Sequence, residues 1–231
     1  VAAAVTTAVV TAASYGAPDK YAATLVGVGF LVATWWLVLR HDEITVRAYG
    51  LSLGGLLEPT RLSPGRLLRD AGVATGWALL LMVLAFPPFA LGYRYFYACS
   101  IVHHALRCLP IHFTLRWPPS IFDELGGQLV VIALPEEAFF RGYLQTALDR
   151  VWPPRWRVLG ADLGLGWLVS AVIFALGHVI TRPDPGRLAV FFPALIFGWL
   201  RRRTGGVGAG ILFHASCNLF SATLGRGYHL L

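Results

Sequence analysis

The sequence predicts an all-α protein, a polytopic membrane helix bundle of about six to seven spans. Two observations carry this. Only 13% of its 231 residues are charged while 56% are hydrophobic, and a soluble domain carries about 25% charged residues. The apolar residues also fall in long runs, with Pro, Gly and Arg gathered between them, as spans and their connections require. A chain of this length suits a single integral membrane domain over residues 1–231, with no room for a separate soluble one.

The runs can be taken in order. Val1–Ala13 is apolar but short for a span, and it lacks the basic stretch of a signal peptide; it is expected to be the remainder of a first helix. Tyr21–Leu39 is the first full span, about 20 residues or roughly 30 Å of helix, with Trp35 and Trp36 placed for the membrane interface. Ile44–Ala71 reads as a polar connection carrying short surface helices at Leu56-Leu57 and Leu67-Leu68. A second span covers Val73–Tyr95, and Pro87-Pro88 is expected to break or kink it. Phe96–Leu125 gives no clear span. Ile101–Leu109, with His103, His104 and Arg107, reads as an amphipathic or re-entrant segment, and Asp123 as a helix cap. A Cys99–Cys108 bridge is open if that loop is extracytoplasmic; otherwise Cys99, Cys108 and Cys217 are free thiols. Further spans are expected at Gly126–Leu148, Leu163–Thr181, Leu188–Leu200 and Gly205–Leu224.

Net charge is +7, from 18 arginines, one lysine and 12 acidic residues. The arginines lie mostly between apolar runs, where they anchor helix ends to headgroups, so nucleic acid is not the expected partner; the bilayer is. With six spans and Tyr21 outside, the cytoplasmic loops hold Arg40, Arg47, Arg61, Arg66, Arg69, Arg150, Arg155, Arg157, Arg201, Arg202 and Arg203, eleven in all. The opposite side holds seven, Lys20, Arg94, Arg107, Arg116, Arg182, Arg187 and Arg226.

Arg141 lies inside a span, with Glu136 and Glu137. Charges at that depth usually face a bundle interior and mark function. Pro135 is expected to kink or restart the helix, leaving both glutamates in the first turn that follows. Glu137 and Arg141 are i, i+4 on one face and can neutralise each other. Glu136 lies about 100° away and lacks that partner. It suits general-base work on water, although the three charges also suit a packing ion pair with one spare acid. His178 ends the fourth span, where a headgroup-level histidine is the plainer reading. His214 and Asn218 share a face of the sixth, where an interhelical hydrogen-bond clamp is the plainer reading. Together, three helices supply a base, a partner histidine and donors for an oxyanion, the parts of a hydrolase.

Glu136-Glu137-Ala138-Phe139-Phe140-Arg141, Phe174-Ala175-Leu176-Gly177-His178 and His214-Ala215-Ser216-Cys217-Asn218 together resemble the three motifs of the glutamic-type intramembrane proteases of the CPBP family, which includes the eukaryotic CAAX-processing endopeptidase. The resemblance covers about Gly126–Leu224, and it implies that residues 126–224 are the catalytic core helices. It implies that Glu136 and His178 activate water, that His214 and Asn218 hold the oxyanion, and that Glu137, Arg141 and Phe174 support them structurally. It implies no cofactor, and an endopeptidase acting near the C-terminus of a membrane-tethered protein substrate with a lipidated or sorting-tag tail. The small size is similar to the bacterial myxosortase-like members, so a bacterial inner (plasma) membrane is the expected location. Three alternatives stay open. One is a zinc protease with Glu136, His178 and His214 as ligands, although no His-Glu-x-x-His is present. The others are a non-catalytic scaffold or immunity-type protein, and a proton-coupled transporter, for which the chain shows no internal repeat.

Overall fold

The computed structural model describes every residue except 1, 17, 59–61, 97–111, 119, 182 and 231. The segment Ile101–Leu109 and the Cys99–Cys108 pair therefore lie outside the described residues. Among the described residues eight helices follow one another. They are α1 (Ala2–Gly16), α2 (Asp19–Thr34, continued by a π turn at Trp35–Leu39), α3 (Glu43–Ala48) and α4 (Pro64–Tyr95), then α5 (residues 121–151), α6 (Leu165–Thr181), α7 (Phe191–Thr204) and α8 (Gly208–Gly227). A two-stranded antiparallel hairpin, β1 (Trp156–Val158) and β2 (Ala161–Leu163), sits between α5 and α6.

Local chemistry sets several boundaries. Asp42 caps α3, its Oδ1 accepting from the Thr45 N–H at 2.8 Å. Ser120, not Asp123, caps α5; the Asp123 N–H donates to Ser120 Oγ at 3.4 Å, because the hydroxyl stands at the position that reaches the first free amides. Gly205, at φ 78, ends α7 in the left-handed region that a glycine adopts without strain. The Pro87-Pro88 pair does not break α4, which runs through it to Tyr95. The Leu67-Leu68 pair belongs to the first turns of α4 rather than to a separate surface helix. The hairpin was not legible as strands. Its tight turn holds two positive-φ residues, Leu159 at 47 and Gly160 at 79, and a leucine there gives no turn signal.

Two helices, Tyr21–Leu39 and Pro64–Tyr95, are long and apolar enough to cross a membrane, and Leu165–Thr181 is a shorter apolar helix. A soluble core helix would pass the same length test by being buried. The apolar windows of these two are only 22% and 6% buried. Val83, Leu84 and Leu91 of α4 stand open to the surroundings, and such a face is stable against lipid rather than water.

The bundle closes around α8, which packs on α4, α5 and α7, while α2 and α6 pack on α5. One core cluster joins Val38, Leu51, Ala133, Ala138 and Ala215. A second joins Phe30, Phe139, Phe140, Ala171, Phe174 and Ala194. A third joins Ala74, Ala78, Phe197, Leu200 and Phe213. Small residues set the approach of α2 to α5. A Cβ on Gly27 would stand 2.3 Å from the Val131 carbonyl oxygen, so α2 lies directly against the α5 backbone.

Candidate active site

The site is built on α5. Its winding changes four times: α at Ile121–Gly126, π at Gly127–Ala133, α at Leu134–Glu137, π at Ala138–Gln145 and α again at Thr146–Val151. The backbone stays helical across Pro135, which stands in the first turn of the short α segment with Glu136 and Glu137. Its missing N–H removes one bond from an otherwise continuous helix. Single π turns recur at functional sites because the extra residue per turn re-aims the side chains that follow.

Glu137 and Arg141 are both fully buried, with Arg141 Nη1 3.4 Å from Glu137 Oε1. Arg141 Nη2 also donates to the Ala194 carbonyl at 3.4 Å, and the guanidinium lies 4.2 Å over the Phe174 ring. Phe174 is thus the cation–π platform for this arginine. Glu137 has a further partner that the sequence did not reveal: His214 Nδ1 lies 3.0 Å from its Oε1. A carboxylate only accepts, so Nδ1 carries the proton. His214 Nε2 then faces Glu136, 3.8 Å from Oε2. Phe197 stacks on the imidazole at 4.7 Å and 12°, holding the ring plane.

Glu136 is less buried than its neighbour, and its Oε2 has no hydrogen-bond partner among the described residues. His178 Nδ1 stands 2.9 Å from the Phe174 carbonyl. A carbonyl can only accept, so the proton sits on Nδ1, and the neutral ring keeps a lone pair on Nε2. Asn218 Nδ2 donates to Gln128 Oε1 at 2.8 Å. Gln128 is eight residues before Glu136 on the same helix and was not singled out in the sequence. A glutamine at the start of the apolar run of α5 was the available signal, since an amide in such a run needs a partner.

Glu136, Phe174, His178, His214 and Asn218 line one cavity of about 1150 Å³, together with Gln128 and Phe197. The cavity is not confined to residues 126–224: Val10 of α1 and Val26, Gly27 and Phe30 of α2 form part of its wall. A second cavity of about 810 Å³, beside Arg47 and Arg66, holds none of the candidate catalytic groups. Among the described residues no three His, Cys, Asp or Glu side chains converge as a metal-binding group. Cys217, the third cysteine, is a free thiol.

A carboxylate, two histidines and an amide from three helices thus share one cavity of an apolar helical bundle. Residues 119–220 match the family described as Rce1-like, type II CAAX prenyl endopeptidase Rce1-like. Over that segment, less than half of the chain, it is similar to the CPBP/CAAX protease family, whose members are integral membrane proteins and intramembrane proteases, hydrolases of peptide bonds acting on membrane-associated protein substrates. Neither the curated proteins nor the solved structures gave a match.

Proposed function

We propose that this protein is a glutamate-dependent intramembrane endopeptidase. It cuts near the C-terminus of a membrane-tethered substrate whose tail is lipid-modified or a sorting tag. The proposed setting is the bacterial plasma membrane, with six to seven helices spanning it and the end bearing Arg47, Arg150 and Arg201 on the cytoplasmic side. The observation that carries the reading is that Glu136, His178, His214 and Asn218, from three separate helices, line the same cavity.

In this mechanism Glu136 takes a proton from water while the water oxygen bonds to the scissile carbonyl carbon. His178 Nε2 accepts the water's second hydrogen bond and orients the attack. His214 in its imidazolium form donates from Nδ1 to Glu137 and from Nε2 to the oxyanion. Glu136, Glu137, Arg141 and His214 then sum to zero charge, which a dry bundle tolerates best. Asn218 has two N–H donors; Gln128 accepts one, and the second serves the oxyanion. Glu136 finally passes its proton to the leaving nitrogen as the C–N bond breaks.

The test is cleavage of a tailed membrane substrate by purified protein. Glu136→Gln should fold normally and lose about 10²–10⁴-fold or more in rate. His214→Ala and Asn218→Ala should each lose about 10²–10³-fold. A strong chelator should change nothing. Loss on chelation with recovery on added zinc would overturn the glutamate mechanism in favour of a metal, and undiminished cleavage by Glu136→Gln would overturn both.

A further inference from the structure

The cavity carries one charged group that hydrolysis does not use. Arg187 lines it together with Glu136, His178 and Thr181, and among the described lining residues it is the only arginine or lysine. Its backbone is fixed where α6 gives way to α7. The Gly186 N–H donates to Asp184 Oδ1 at 2.9 Å, the Arg187 N–H donates to the Asp184 carbonyl at 3.0 Å, and a 3₁₀ turn over Pro185–Val190 leads into α7. The side chain is half-buried. Val10, Val26, Phe30, Phe140 and Val190 supply apolar wall around the same space.

A guanidinium presents a planar fork of donors that matches a carboxylate, and such charge-assisted pairs are among the stronger polar contacts. The tail of a membrane-tethered protein brings one anion whatever its side chains are, its terminal carboxylate. We propose that Arg187 binds the free α-carboxylate of the substrate's C-terminus, so that the cut is placed by distance from the chain end. This rests on the protease reading above. A purely interfacial arginine, anchored to headgroups, would not distinguish one tail end from another.

The experiment uses the full-length protein in nanodiscs and a fluorescein-labelled peptide with an apolar tail, made once as the free acid and once as the C-terminal amide. Binding is measured with the Glu136→Gln protein so that the peptide stays intact, and cleavage is measured in parallel with active protein. The free acid should bind about 10- to 100-fold more tightly than the amide. Arg187→Gln should bring the two affinities together, and Arg187→Lys should retain part of the difference. In the cleavage arm Arg187→Gln should raise KM for the acid and leave kcat nearly unchanged, the mark of lost ground-state binding. A structural role would not move the acid-to-amide ratio. Equal affinity for the two peptides, whether both bind or neither does, overturns the proposal. Absent cleavage with the acid preference intact would count against the protease reading and not against this one.

Discussion

At the scale of single residues, the weight falls on Glu137 and Arg141. Both are sealed from solvent, and Arg141 and His214 meet at the same oxygen of Glu137, Oε1. Arg141→Ala would leave a buried carboxylate facing only a histidine and remove the cation above Phe174. Breaking a buried pair in this way costs about 3–5 kcal/mol, so folded yield and melting temperature in detergent should both fall. Unchanged melting would mean that the pair is not buried in solution. The sequence showed this pair, because i, i+4 spacing on a helix is a local rule. It did not show that Glu137 also fixes His214, since the two are 77 residues apart and only the packing of α8 on α5 brings them together. Gln128 and Asn218 were invisible as a pair for the same reason.

At the scale of elements, the helices were legible and their winding was not. Apolar runs predicted α5 to α8 within a few residues at most ends, because a helix packed within an apolar bundle is apolar over most of its length. The π segments of α5 have no such signature. Their effect is one of phase: each residue turns an α-helix by about 100°, so a helix relaxed from π to α winding presents a rotated face downstream. Deleting Val130, which lies in the Gly127–Ala133 segment, should allow α winding there and rotate Glu136 relative to Gln128. Activity should fall by about 10²-fold or more, the usual loss when a general base is misplaced. Val130→Ala, which keeps the length, should stay near wild type. Comparable activity in the two variants would remove the winding from the account of the site.

At the scale of the whole molecule, one end of the bundle gathers the arginines. Arg150 reaches the Tyr49 hydroxyl at 3.0 Å, Arg201 donates to the Ala48 carbonyl at 3.1 Å, and Arg47 and Arg66 both pair with Glu58. Glu58 is the acid anchor of this end. The Arg47 guanidinium, with help from the Ser52 hydroxyl and Arg66, holds its carboxyl down from 4.5 to about 2. A carboxyl lowered by folding stabilises the native state above its unfolded value and loses that contribution as it is protonated. The stabilisation is therefore complete above about pH 4.5 and fades as pH falls toward 2. Wild-type protein in detergent should lose more melting temperature across that interval than Glu58→Gln does, by a few degrees. Parallel pH profiles for the two proteins would show that Glu58 has no such part.

The pairing of Glu137 with Arg141 has a consequence earlier in the protein's life. Both belong to α5, so their charges meet as soon as that helix is wound, before α6, α7 or α8 has arrived. Asp or Arg at the centre of an inserting helix costs about 2.5–3.5 kcal/mol apiece on biological insertion scales, and a self-neutralising pair lowers that barrier at the translocon. Exchanging Ala138 and Arg141 keeps the composition but sets the arginine one and two positions from the glutamates, off the face of both. In a glycosylation-mapping reporter, residues 121–151 carrying the exchange should insert less often than the natural order. Equal insertion would mean that the two charges cross the bilayer unassisted, each hydrated until the bundle assembles.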